Sequence, residues 1–196
     1  VCRDDNGKVK SSYLVIPATN DSANRTSGAL AHPLSDKLQY VGKDFHEYSD
    51  GSKKDLYPLY EQELSTWCQS EYAHPKAQAV LNYVQKGTLV KDLLEANVLI
   101  ADPDDTNKLA YPEQASDYPD SVLSSLNKNT KGVFDQGAAF IAWRVTATEL
   151  GKQAEHGKSE TWRDESLFAS WQQFYATLDS TDGFCYITGK DSPLAS

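Results

Sequence analysis

The stretch LYPLYEQELSTWCQSEYAHPKAQAVLNYVQKGTLVKDLLEA, residues 56–96, decides how the fold is read. Leu56, Leu59, Tyr60, Leu64, Trp67 and Cys68 recur near a 3.6-residue period, which lines up one face of an α-helix. Pro58 falls in the first turn, where its missing N–H is tolerated. His74-Pro75 ends this helix, because the residue before a proline is steered out of the α region. A second helix is expected from Pro75 to Gln85, with Ala77, Val80, Leu81 and Val84 on one face and Gly87 just past its end. Thr88 is placed to cap a third, short helix through Ala96 that carries Leu89, Val90, Leu93 and Leu94.

Working outward, β-branched and aromatic runs predict strands on both sides. Before the helices, a turn at Asp5-Asn6-Gly7 leads into a strand over Ser11–Ile16 that Pro17 ends, and Leu38, Tyr40 and Val41 form a second, short one. Residues 18–36 read as a loop, and Asp50-Gly51 as a turn. After the helices, Val98–Ala101 and Ala138–Ala147 read as strands, the latter through Phe140, Ile141, Trp143 and Val145. Between them, residues 102–120 form an acidic, proline-bearing loop expected to be mobile. Ser121–Leu126 reads as a helical turn and Asn127–Gly132 as an exposed one. Glu149–Arg163 is a polar connection, and Thr161–Asp164 resembles a capping box ahead of a helix with Leu167, Trp171, Phe174, Tyr175 and Leu178 as its stripe. Asp182-Gly183 turns into a last strand, Phe184–Thr188. Helices clustered between separated strands predict an α+β fold, a small mixed or antiparallel sheet with a cluster of helices, in one domain over 1–196.

The chain has 196 residues, 39% hydrophobic and 24% charged, a globular mix that excludes collagen-like and fully disordered classes. No run approaches the ~20 apolar residues of a membrane span. Methionine is absent, so the chain is expected to begin away from a native initiator, and Val1–Asp5 lacks the apolar region of a signal peptide. The net charge of −9 argues against bulk nucleic-acid binding, but it is uneven. Residues 1–60 hold eight basic and eight acidic residues, whereas residues 61–120 hold four and eleven. An anionic partner should therefore prefer the first third, or the basic pairs of the last. Cys2, Cys68 and Cys185 are odd in number and scattered, which points to buried thiols in a reducing, cytoplasmic setting rather than a disulfide framework.

Catalytic signatures are missing. There is no phosphate-binding loop, dinucleotide fingerprint, nucleophile elbow or zinc-protease motif. Asp102, Asp104, Thr106 and Glu113 stand at positions 1, 3, 5 and 12 of a calcium-loop pattern, but Asn107 replaces the required glycine and Pro103 sits at position 2. No metal or other cofactor is expected. Asp36, Asp44 and Asp135 could serve as carboxylates of a hydrolase, yet nothing in their spacing selects them. The tryptophans at 67, 143, 162 and 171 read as core anchors.

Four patches change this picture. Trp171-Gln172-Gln173-Phe174-Tyr175 followed by Gly183-Phe184-Cys185-Tyr186-Ile187-Thr188-Gly189 resembles the large subunit of the type I-C CRISPR Cascade complex, in which a Cys-Leu-Val/Ile-Thr-Gly segment follows a tryptophan-bearing helix. Asn24-Arg25-Thr26-Ser27-Gly28 is similar to that family's Lys-Arg-x-Ser/Thr-Gly. Leu34–Gly42 is similar to its Leu-Trp-Asp-Asn-x-x-Tyr-hydrophobic-Gly, and Ala139–Val145 to its Phe-Val-x-Phe-Arg-Val. Asn24, Ser35 and Lys37 depart from the pattern, where the family has lysine, tryptophan and asparagine. The resemblance implies an N-terminal fragment of a longer, non-catalytic subunit. It also implies recognition of the protospacer-adjacent motif on double-stranded target DNA and help in unwinding it, while guide RNA reads the sequence. The implied partners are the target duplex, guide RNA and other Cascade subunits, with no membrane.

The candidate DNA contacts are polar and basic residues on loops. Arg25, Thr26 and Ser27 can bond phosphates or base edges, and Gly28 permits close backbone approach. Lys37 follows in the same neutral third. Lys128, Asn129 and Lys131 occupy the exposed turn, where asparagine can pair with adenine and lysine with guanine. Tyr40 and Trp143 are expected in the core. Two other readings compete. One is a carboxylate- or metal-dependent hydrolase, and the other is an interaction domain that docks a basic partner on residues 102–120.

Overall fold

The computed structural model describes residues 14–24, 29–51, 53–146 and 159–178, and the backbone of 182–185 and 190–193. Among them stand seven α-helices: α1 (Asn20–Ala23), α2 (Leu38–Val41), α3 (Phe45–Tyr48), α4 (Tyr57–Gln69), α5 (Pro75–Val84), α6 (Leu89–Glu95) and α7 (Glu165–Tyr175). Three short 3-10 turns, Val122–Ser125, Gln136–Ala138 and Thr161–Arg163, punctuate the connections. None of the described helices is long and apolar enough to cross a membrane.

The centre of the core is α4, which packs on both α2 and α5. Its buried face is Tyr57, Tyr60, Leu64, Trp67 and Cys68: four residues of the periodic set read from the sequence plus Tyr57, with Leu56 and Leu59 half-buried at its edge. Leu64 and Trp67 are fully enclosed, and burying one such leucine contributes about 1.5–3 kcal/mol. The Tyr60 hydroxyl donates to the Leu34 carbonyl at 2.8 Å, and burial holds its pKa well above that of a free phenol. Trp67 meets Trp171 edge-on at 5.2 Å between centroids, which docks α7 against α4. The pair Lys76–Asp164 ties α5 to the start of α7.

The predicted helix starts are observed, but α4 stops at Gln69, ahead of the expected break at His74-Pro75. Pro58 and Pro75 lie in first turns, and Gly87 takes φ +69°, the left-handed conformation open to glycine. Two caps differ from expectation. Thr88 makes no side-chain cap of α6. Its hydroxyl donates to Asp92, and the buried Asp44 carboxylate instead accepts from the N–H groups of Val90 and Lys91. The cap of α7 is Asp164, accepting from Ser166 and Leu167, while the Thr161 hydroxyl donates to the Trp143 carbonyl.

The α+β expectation is overturned: the described residues are mostly helical. Leu38–Val41 is helical because its bonds are local, with Tyr40 and Val41 donating to Lys37 and Gly42 to Leu38. Residues 14–16 form no regular secondary structure, with Val15 60% exposed, and residues 11–13 lie outside the described set. Val98–Ala101 builds no ladder; Ala101 alone pairs, with Leu109. The stretch predicted as Ala138–Ala147 begins inside a 3-10 turn and then runs extended through 146. Only Phe140 and Arg144 find antiparallel partners, Lys37 and Glu160, and residue 147 lies outside the described set. Phe184–Cys185 belongs to β1 (Asp182–Cys185), which pairs only with β2 (Lys190–Pro193); residues 186–188 are not among those described. No described strand joins these pieces into the expected sheet.

Candidate nucleic-acid interface

Lys37 stands at the N-cap position of α2 and is exposed. It follows Asp36, whose enclosed carboxylate accepts from the backbone N–H of His32 at 2.8 Å and of Lys37 at 2.7 Å. That clamp fixes residues 32–37 as a rigid corner. The His32 ring lies 3.0 Å from the Ser22 hydroxyl, tying the corner to α1. Arg25, Thr26, Ser27 and Gly28 fall between these anchored ends and lie outside the described residues.

The second group sits on one turn. Lys128 pairs with Phe134 across it, and Gly132 takes φ +80°, which closes it. Lys128, Asn129 and Lys131 are all exposed there, with the Lys128 ammonium 5.7 Å from the Phe134 ring centroid. Asn129 Oδ1 accepts from the N–H groups of Lys131 and Val133 at 2.9 and 3.3 Å. Its acceptor is therefore spent on the turn and its amide nitrogen is the group left to reach outward. A two-point bond to adenine needs both, so Asn129 as it stands offers a single donor. The structure brings Lys128, Asn129 and Lys131 together, and keeps Lys37 on a separate element.

Sequence reasoning missed a third basic and aromatic region. An open groove of about 670 Å³ runs between α5, the start of α6 and residues 140–145. Val80, Leu89, Leu93 and Ile141 line it with Tyr83, Phe140 and Trp143, and Lys86 and Arg144 stand at its margin. Phe140 is 44% exposed. The Lys86 ammonium lies 5.5 Å from the Tyr83 ring centroid, and Arg144 shares Glu160 with Arg163, at 3.0 and 3.1 Å. Trp143, half-buried rather than enclosed, meets Tyr83 edge-on and donates its indole N–H to the Leu34 carbonyl, whereas Tyr40 is buried as expected. The one trace of this region in the sequence is Arg144 beside Trp143, which the resemblance covered.

The carboxylates weighed for hydrolysis are occupied structurally. Asp36 clamps its corner, Asp44 caps α6, and Asp135 grips Lys53 while accepting from Gly137. Asp102 accepts from the N–H groups of Asp104 and Asp105, and among the described residues no three His, Cys, Asp or Glu side chains converge as metal ligands. One cluster has the composition of a nucleophile site: His74, Ser166 and Asp164. Its protons run the wrong way. The Lys76 N–H donates to His74 Nδ1, so the neutral ring carries its proton on Nε2, which lies 3.2 Å from the Ser166 hydroxyl, and that hydroxyl bonds Asp164. A base must present a lone pair to the serine; this ring presents a proton. Burial further lowers the His74 pKa, and although desolvation opposes it, bonding to Lys76 and Ser166 holds Asp164 below the ordinary carboxylate value.

The family model for CRISPR-associated protein (Cas_Csd1) matches residues 1–196. The chain belongs to the Cas_Csd1 family. Cas_Csd1 proteins are the large subunit of type I-C Cascade, so the chain is a component of that complex. No curated protein and no solved structure matches it. Within the Cas_Csd1 chain, the four patches of resemblance fall on the Asp36 corner, the groove wall at 139–145, α7 with β1, and the undescribed segment 25–28.

Proposed function

We infer that this chain is the DNA-recognition domain of the Cascade large subunit, reading the protospacer-adjacent motif on duplex DNA and aiding its unwinding, without catalysis of its own. The family match over the whole chain carries this reading. The exposure of Lys37, Lys128, Asn129 and Lys131 supports it, since phosphate and base-edge contacts need free cations and amides on loops. Arg25, Thr26, Ser27 and Gly28 complete the proposed contact set. Guide RNA and the other subunits are its working partners, in the cytoplasm, and the 196 residues act as one domain.

The test is target binding by the assembled complex. Lys37→Ala, Lys128→Ala and Lys131→Ala should each weaken binding, and each phosphate contact removed should lower the slope of log affinity against log salt by about 0.9. Arg25→Ala, if it reads a base, should cost about 1–3 kcal/mol of discrimination between motif-bearing and motif-free duplexes. Unchanged motif-dependent binding in all four variants refutes the site.

A further inference from the structure

The wall of the groove formed by residues 140–145 is a segment hydrogen-bonded along one edge only, through two isolated antiparallel pairings. Leu38 donates to the Ala139 carbonyl and Ile141 to the Asp36 carbonyl at one end. At the other, Val145 donates to the Ser159 carbonyl and Thr161 to the Trp143 carbonyl. All four bonds use odd-numbered residues of the segment. Backbone groups alternate sides along a strand, so Phe140, Ala142 and Arg144 direct their N–H and C=O groups to the opposite edge. Among the described residues, none of these six groups has a hydrogen-bond partner.

An open edge bordering an apolar groove is the arrangement that receives an added strand, with main-chain bonds giving affinity and side-chain pockets giving specificity. The charges select its chemistry. Lys86 and Arg144 stand at the groove; Arg144 and Arg163 together face one acid, Glu160, and Asp92 is engaged by Tyr83 and Thr88, so the groove margin keeps a net positive charge. We propose that the edge Phe140–Ala142–Arg144 takes an extended segment of a neighbouring Cascade subunit, one that alternates apolar side chains with acidic ones. The apolar side chains seat on Tyr83, Leu93 and Phe140, above the buried Val80 and Leu89, and the acidic ones meet Lys86 and Arg144. This docking face is separate from the proposed DNA contacts on the turn of Lys128, and either can fail without the other.

Amide hydrogen exchange resolved to single residues, on the full-length subunit alone and within the assembled complex, tests it without a variant. The amides of Phe140, Ala142 and Arg144 should exchange fast in the isolated chain and about tenfold or more slowly once the protein subunits assemble, before target DNA is added. Ile141 and Val145, already bonded, should change little. Three results overturn the proposal: no added protection; protection that appears only with target DNA, which assigns the groove to nucleic acid; and protection in the isolated chain that rises with its concentration, which assigns it to a second copy. In a second arm, the double reversal Lys86→Glu with Arg144→Glu should abolish the added protection while leaving Ile141 and Val145 protected. Retained protection of the three edge amides in that variant removes the acidic partner.

Discussion

Lys76 and Asp164 are nearly sealed from solvent, with side chains 4% and 3% exposed. A buried pair is costly to break from one side, because the remaining charge loses its partner and gains no water. Lys76→Ala should therefore cost about 3–5 kcal/mol in urea unfolding. His74 beside it is kept neutral by burial, with a pKa below its ordinary 6.5. The unfolded chain binds that proton more readily, so the contribution of His74 is full above about pH 6.5 and is lost as pH falls through the lowered folded value. Asp164, held below 3.8, contributes fully above that value and loses its share at still lower pH. The urea midpoint should thus drop as pH falls below about 6.5, and His74→Asn, which can still cap α5, should flatten that drop. Gly137 makes a different demand. A Cβ there would lie 2.5 Å from Cζ of the buried Phe45 ring, so Gly137→Ala should destabilise by about 1–3 kcal/mol in the same measurement.

At the scale of elements, α6 depends on a carboxylate 45 residues before its first turn's Leu89. Asp44→Ala leaves the Val90 and Lys91 N–H groups without their acceptor and should cost about 1–2 kcal/mol by thermal or urea unfolding, most of it restored by Asp44→Asn. This cap was illegible from the sequence, where Thr88 stood in the expected position; a local pattern cannot see an acceptor delivered from another helix. The helices were legible because their information is local: the period of Leu64 and Trp67 and the two prolines suffice. The sheet was misread for the complementary reason. Phe140, Ile141 and Val145 do favour extended backbone, and residues 139–146 adopt it, but a ladder needs a partner strand. The segments opposite are a corner clamped by Asp36 and a 3-10 turn, each supplying one pairing. Leu38–Val41 spans four residues, Leu-Gln-Tyr-Val, too few to distinguish a period of 2 from one of 3.6.

For the whole molecule, the core around α4 is continuous from α2 to α7, so opening it requires global unfolding. Cys68 reports on this. It is buried, and burial pushes its thiol pKa up to about 12, so alkylation of Cys68 should begin only with denaturant, at the same midpoint as loss of helical circular dichroism. Earlier alkylation would mean that α4 opens locally. Of the candidate contacts proposed from the sequence, Lys37, Lys128, Asn129 and Lys131 are exposed, because polar side chains at turns and helix starts face solvent. The groove was not, because it is assembled from α5, α6 and residues 140–145, whose apolar side chains read as ordinary core.

The two single pairings Lys37–Phe140 and Lys128–Phe134 set a ruler across the molecule. Only five residues, or six steps from one α-carbon to the next, separate Phe134 from Phe140. At the reach of an extended chain, and with one pairing distance added at each end, the α-carbons of Lys37 and Lys128 lie no more than roughly 33 Å apart. The 3-10 turn Gln136–Ala138 within that stretch shortens it further. On the proposed DNA reading, both basic groups therefore fall within one turn of a B-form duplex, and a contact footprint longer than one turn would have to draw on other residues.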